Sequence, residues 1–512
     1  MARPASAVVP RRRGPDVLGA AVAVGMLALL VTLLVWPLAE VFVVGLLMAP
    51  PPAPVIVNTL AVAVGATLGA LGMAGVLAAG VRFGIPGAGR LAMIARAGVL
   101  VPPFVVPLAV LVLVDRARLG LLAIGIAQAF AFLPHAVALV MRALAGVPAE
   151  AEQAAELLGA SRWTVLRRVT LGLAAPGLTA AAAVVLGLCL ADVTAPLLVG
   201  GQPPMAVGTM VLAAFVVAAG EHWTAPTIAG ALALSVLTIA VAVAGRTWRY
   251  VTAPLAPTPI RPTGIRPPAP MRATLAVLAW LIAATLVVLW AVVPLASLAH
   301  WAELPGAARS LLDTMALGLG AAMAGTALAL AVAWLAARRH GPGVGAMTAL
   351  AGVPVAVPGL VAGVGYLMAF RAPTGDVAIA AVLVAAWELP LMLRVAANVL
   401  ARSDRSREQA ALTLGAGPIT TLRRVVLPGL RPAVVWLVCH GFAAGVAAVG
   451  TVVVFATHIG LDLGVIHMLD SASTGSVGAA CAVATVLLAL AGGATLLGRA
   501  VAGRESIPTL LA

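Results

Sequence analysis

Glu152-Gln153-Ala154-Ala155-Glu156-Leu157-Leu158-Gly159-Ala160 returns as Glu408-Gln409-Ala410-Ala411-Leu412-Thr413-Leu414-Gly415-Ala416, offset by 256 residues, half of the 512-residue chain. Each copy runs into the same close. The first ends Leu166-Arg167-Arg168-Val169-Thr170-Leu171 with Pro176, the second Leu422-Arg423-Arg424-Val425-Val426-Leu427 with Pro432. Both copies are polar islands in an otherwise apolar chain. The pattern predicts one membrane protein with two equivalent docking points for a two-fold symmetric partner.

The surrounding composition supports a lipid setting. The chain is 62% apolar and 9% charged, too little charge to cover a soluble protein of this size. All 31 basic residues are arginines, set in short loops between apolar runs. That fits membrane topology better than a nucleic-acid surface. Without lysine no P-loop can be built, so ATP, if used, is hydrolysed by another chain. Cys189, Cys439 and Cys481 fall in apolar segments and form no metal or redox spacing. Arg11, Arg12 and Arg13 precede an apolar run from Val17 that reads as an uncleaved first span.

A span needs about 20 apolar residues. Twelve are expected, near 17–38, 55–81, 97–114, 119–141, 174–197 and 224–245, then 273–297, 313–336, 346–370, 377–396, 433–457 and 475–497. Backbone in lipid must satisfy its own hydrogen bonds, so these are helices. With both termini cytoplasmic, only Arg116, Arg118, Arg309 and Arg371 fall outside. That bias places both repeated stretches in the cytoplasm. Six spans per half make the repeat parallel. The domains are therefore 1–245 and 273–512, joined by a Pro/Arg-rich cytoplasmic linker, 246–272. Further repeats agree: Asn58-Thr59-Leu60 with Asp313-Thr314-Met315, Pro103 and Pro107 with Pro354 and Pro358, Pro134 with Pro390.

These residues resemble the "EAA" loop of bacterial ABC importer permeases, E-A-A, three residues, G, then an apolar-basic stretch ending L-P. The resemblance covers both halves and is strongest to fused two-half permeases of the iron(III), thiamine and aminoethylphosphonate group. It implies an all-α type I importer permease, twelve helices in two parallel six-helix repeats, in the bacterial plasma membrane. It implies an ATP-binding cassette ATPase dimer as partner, which hydrolyses ATP with Mg, and an extracytoplasmic solute-binding protein. This chain would bind no cofactor, no metal and no nucleic acid, and be no enzyme. The solute order is iron(III), then thiamine, aminoethylphosphonate or polyamine. The family's glutamate position holds Gln153 and Gln409, with Glu152 and Glu408 one residue earlier; the L-P pair is Leu427-Pro428 but Leu171-Gly172 in the first copy.

The residues carry a physical reading of their own. Ala154, Ala155, Ala410 and Ala411 favour a slim helix that fits a groove. Gly159 and Gly415 supply a turn. Arg167, Arg168, Arg423 and Arg424 suit anionic headgroups or an acidic partner surface. Ionisable residues inside spans are costly, which makes Asp192 and Glu388 candidates for a solute path. Asp192 equally suits capping at the Pro196 break, and Glu388 suits bonding to groups freed by Pro390. His440 reads as a helix–helix contact, with His135 and Gln128 as further polar residues of the fourth span. His458, Asp462, His467 and Asp470 have metal-ligand residue types without a defined spacing, and read as an outer loop meeting a binding protein. Glu221, His222 and Glu303 read as solvated outside. Glycines four apart, Gly65/Gly69, Gly359/Gly363 and Gly441/Gly445, predict close helix packing. The alternative is an ion-coupled secondary transporter with two parallel halves, using Glu388.

Overall fold

The computed structural model describes residues 17–48, 50–114, 120–200, 225–244, 268–338, 342–370, 376–403 and 405–506. Arg11 to Arg13, Arg116, Arg118, Glu221, His222, Arg371 and most of the 246–272 linker lie outside them. Among the described residues the regular elements are all helical.

In the first half, α1 spans 17–45 and includes a π-helical turn, Val31–Val35. Then come α2 (Ala53–Arg82), α3 (Ala88–Ala97), α4 (Val105–Leu113), α5 (Leu121–Ala145), α6 (Ala149–Leu157), α7 (Leu171–Ala191), α8 (Thr194–Val199) and α9 (Ala225–Ala244). The second half holds α10 (Ala269–Ser297), α11 (Ala308–Arg338), α12 (Pro342–Leu350), α13 (Gly359–Phe370), α14 (Val377–Arg402) and α15 (Arg405–Thr413). It closes with α16 (Arg431–Val446), α17 (Val449–His458), α18 (Gly464–Ser473) and α19 (Val477–Ser506).

The helix starts follow from local chemistry. Pro52 and Pro268 precede α2 and α10, each with a further proline in the first turn, where the missing N–H costs nothing. Asp376 caps α14, its carboxylate accepting from the Ala378 and Ile379 amides.

Among the described residues seven continuous helical stretches are long and apolar enough to cross a bilayer, or ten if each of three bent pairs is one span. This differs from the expected twelve for identifiable reasons. Ala269–Ala337 is a single 69-residue stretch holding both α10 and α11, and the sixth expected span is present as a shorter run, Ile228–Val243.

The third and ninth expected spans are not straight. Ala88–Leu100 meets Val105–Leu113 at 103°, and Gly343–Val355 meets Gly359–Phe370 at 114°. Prolines cause this: Val101, before Pro102, is forced into extended backbone (ψ 122). At the second bend the Trp387 Nε1 donates to the Val357 carbonyl at 3.1 Å, satisfying a group that no helix bond reaches.

The two halves interlock through their leading helices. α1 packs against α12 and α13 of the second half, while α10 packs against α2, α3 and α4 of the first. Leu30, Leu34, Leu38 and Val41 join a core cluster with Tyr366 and Val361, and Ala279, Ala283 and Leu286 join the first half's cluster of Ala66, Ala70 and Ala74. Close helix approach occurs where glycine permits it. A methyl on Gly441 or Gly445 would fall 2.8 Å from the Ala322 Cα or 2.7 Å from the Gly318 Cα. Gly359 and Gly363 meet Thr451 likewise, whereas Gly65 faces open space.

Candidate functional site

The two repeated stretches form the same local structure. α6 and α15 are nine-residue helices, each ended by a glycine at φ 84°, Gly159 and Gly415. Beyond each glycine the chain turns back on the helix: the Ala160 amide donates to the Ala155 carbonyl and the Ala416 amide to the Ala411 carbonyl, both at 3.0 Å. This six-residue closure requires a left-handed residue, which is why glycine stands there. A π-helical turn follows in each copy, Val165–Thr170 and Leu422–Val426.

The faces of α6 divide cleanly. Gln153 and Ala154 are exposed, Ala155 half-buried, and Arg167 and Arg168 exposed; Gln409, Ala410, Ala411, Arg423 and Arg424 match them. Glu408 is half-buried. Glu152 is different. It is buried, and its Oε1 lies 2.7 Å from the Arg82 Nη2. The Thr170 hydroxyl donates to the same carboxylate, and the Arg82 Nη1 donates to the Leu144 carbonyl at 3.2 Å. Arg82 ends α2, Leu144 lies in the last turn of α5, Glu152 sits in the first turn of α6, and Thr170 leads into α7. Four elements are thus pinned at one ion pair, with each charge at the helix end that favours it.

Sequence reasoning missed Arg82 and Thr170 as Glu152's partners. It also missed the apolar tips. Leu157, Leu158 and Leu414 are 89%, 88% and 87% exposed, with Trp163 at 67%. These leucines lie beside exposed glutamine and alanine, so each tip carries an exposed apolar surface.

In the later part of each half a helix is interrupted at matching positions. α7 breaks at Asp192 before α8, and α16 breaks at Ala447–Ala448 before α17. The Asp192 carboxylate accepts from the Thr194 and Ala195 amides (2.9 and 3.3 Å) and from the Gln128 Nε2 (3.1 Å). It therefore caps α8 and ties it to α5. The two breaks meet, with a methyl on Gly450 falling 3.8 Å from Val193. Between them lies a cavity of about 170 Å³ lined by Phe104, Phe132, Asp192, Ala447 and Gly450. Irregular backbone at membrane depth is tolerated where it lines such a space.

Glu388 lies on α14 and its Oε2 is 3.7 Å from the His440 Nε2 on α16, with Trp436 stacked flat on the imidazole. His458, Asp462, His467 and Asp470 do not gather at one point. Asp462 accepts from the Ser310 hydroxyl at 2.6 Å, while Glu303, His467 and Asp470 line a separate recess of about 160 Å³. Among the described residues no three His, Cys, Asp or Glu side chains gather at metal-binding distance.

Residues 71–246 match the family described as binding-protein-dependent transport system inner membrane component. The chain is 25% identical over 442 residues to ferric transport system permease protein FbpB of Actinobacillus pleuropneumoniae, covering 76% of this chain and 62% of that protein. It is 26% identical over 405 residues to putative ferric transport system permease protein FbpB 1 of Haemophilus influenzae, covering 70% and 63%. A shorter match, 32% over 145 residues, is to the sulfate transport system permease protein CysT of Salmonella typhimurium, covering 25% of this chain and 52% of that protein. The chain thus spans less than two thirds of the length of these relatives.

Proposed function

We propose that this chain, whose residues 71–246 carry an inner membrane component of binding-protein-dependent transport systems, is the membrane subunit of an ATP-driven importer. The observation that carries the reading is the duplicated tip. Two short helices 256 residues apart close on a left-handed glycine and present leucines that no described residue covers. Each helix docks on one copy of an ATPase dimer in the cytoplasm, Leu158 and Leu414 filling its grooves. The two halves, 1–245 and 273–512, surround one path near the paired breaks, and the 246–272 linker joins them on the cytoplasmic side.

ATP-driven closure of the ATPase pulls the two tips together and switches access to the cavity between sides. A solute-binding protein delivers cargo to the outer face. The cargo is iron(III), supported by the two long matches to ferric permeases and by the carboxylates Asp192 and Glu388 at membrane depth; sulfate would call for cationic groups there.

The testing experiment reconstitutes the chain with its ATPase and binding protein in proteoliposomes and measures ⁵⁵Fe uptake. ATP-dependent uptake that requires the iron-loaded binding protein supports the reading. Uptake driven by a proton or sodium gradient without ATP refutes it in favour of a secondary transporter.

A further inference from the structure

We infer that Glu388 and His440 form a transient site for a multivalent metal cation in the wall of the solute path, on the side of the central cavity nearer α15. The inference rests on the importer reading above for its direction of transport, but the binding step stands separately.

Position comes first. The repeat that aligns Pro134 with Pro390 also aligns Phe132 with Glu388, at the same 256-residue offset. Phe132 lines the central cavity, and Glu388 holds the repeat-related position on α14. On α16, Ala447 at the helix end lines the same cavity. His440 lies seven residues back, on the same helical face and about 10 Å closer to α15.

The pair's geometry argues against a simple helix–helix bond. Its ligand atoms are 3.7 Å apart, beyond hydrogen-bond distance. The His440 Nε2 is buried with no hydrogen-bond partner among the described residues. Glu388 keeps 36% of its side chain exposed. An ion about 2.1 Å from each atom would subtend roughly 120°, within the range of ordinary coordination. Carboxylate and imidazole together suit hard and borderline metal ions. Among the described residues two protein ligands are present, so water completes the shell and binding stays weak enough for release.

The pair is also asymmetric. The corresponding residues in the first half are Phe132 and Val184. The pair is therefore confined to the second half, as cargo handling on a single shared path requires. Arg394, the nearest cation along α14, lies six residues on and roughly 240° around the helix.

Trp436 provides a built-in reporter, since its ring stacks on His440 at 4.9 Å and 9°. Terbium(III), a trivalent probe, is titrated into the purified complex and its tryptophan-sensitised emission is read. The expected result is saturable emission, competed by iron(III), that Trp436→Phe lowers and that Trp387→Phe with Trp436→Phe removes. Glu388→Gln and His440→Gln each weaken terbium binding at least tenfold, while Glu388→Asp retains it and reports that the helix pair still folds. Wild-type emission independent of both Trp387 and Trp436, or Gln variants that bind terbium as the wild type does, overturns the site. So does a Glu388→Gln variant that loses terbium yet imports iron at the wild-type rate. Stimulation of ATP hydrolysis by the iron-loaded binding protein is measured alongside. Its absence in the wild type sinks the iron-importer reading, whatever terbium shows.

Discussion

The Arg82 guanidinium and the Glu152 carboxylate meet at 2.7 Å in a buried pair, with side chains 6% and 2% exposed. The residues are 70 positions apart in sequence, one ending a span and the other beginning the first short repeat helix. Their contact makes α6 an extension of α2, α5 and α7 rather than a loose loop. Force applied at the α6 tip is therefore delivered to three spans at once.

Removing one partner leaves a buried charge uncompensated, a change that costs about 3–5 kcal/mol in buried pairs. Arg82→Ala and Glu152→Ala are each expected to lower thermal stability and to uncouple ATP hydrolysis from uptake. The exchange Arg82→Glu with Glu152→Arg restores part of both. Gln153→Ala, on the exposed face, leaves stability unchanged. Melting of the purified variants by tryptophan fluorescence checks the order.

The exposed tips predict a different phenotype. Leu158→Glu and Leu414→Glu replace side chains that the described residues leave 88% and 87% exposed, so the membrane subunit should fold and melt as the wild type does. Losing one buried leucine at an interface forfeits about 1.5–3 kcal/mol, or about tenfold or more in affinity. Co-purification of the ATPase should fall with either change and vanish with both.

Gly159 and Gly415 offer a test of backbone geometry. A side chain at either position meets no atom within 4 Å, so any effect comes from the φ of 84°. A β-branched residue there costs about 1–2 kcal/mol, whereas asparagine tolerates the left-handed region. Gly159→Val is expected to lower uptake several-fold with Gly159→Asn close to wild type. Equal loss in both variants would point to a contact at the glycine itself.

Asp192 holds the start of α8 through two amides and Gln128. Asp192→Ala is expected to destabilise the chain by about 1 kcal/mol, the usual worth of a cap. Asp192→Asn keeps one acceptor for the amides but opposes its own amide to that of Gln128, so it should fall between. Differential scanning fluorimetry of the three proteins gives the ranking.

The duplicated stretch made the repeat, the helical tips and the glycine turns legible in sequence, because all three follow from local residue type. The proline bends were legible as positions but read as straight spans. Their geometry depends on how Val101 and Val357 are carried across the Pro102 and Pro358 junctions. The inward role of Glu152 was not legible from its neighbours, since a charge in a polar island looks the same whether it faces solvent or Arg82. The repeat did contain a signal: Arg338 follows Arg82 by the same 256 residues that separate Glu408 from Glu152. An arginine preserved at both span ends beside a glutamate preserved in both tips marks a pair. The outward leucines were not legible, because an apolar residue in an apolar chain looks the same whether it is buried or exposed.

The most direct measurement places a single reactive thiol at each tip. Cys189, Cys439 and Cys481 are buried, so Leu158→Cys and Leu414→Cys can be labelled selectively with a membrane-impermeant maleimide. In inside-out vesicles both should label rapidly, and added ATPase should protect both; in right-side-out vesicles neither should react. Labelling of the two positions from opposite faces of the membrane would contradict the account outright.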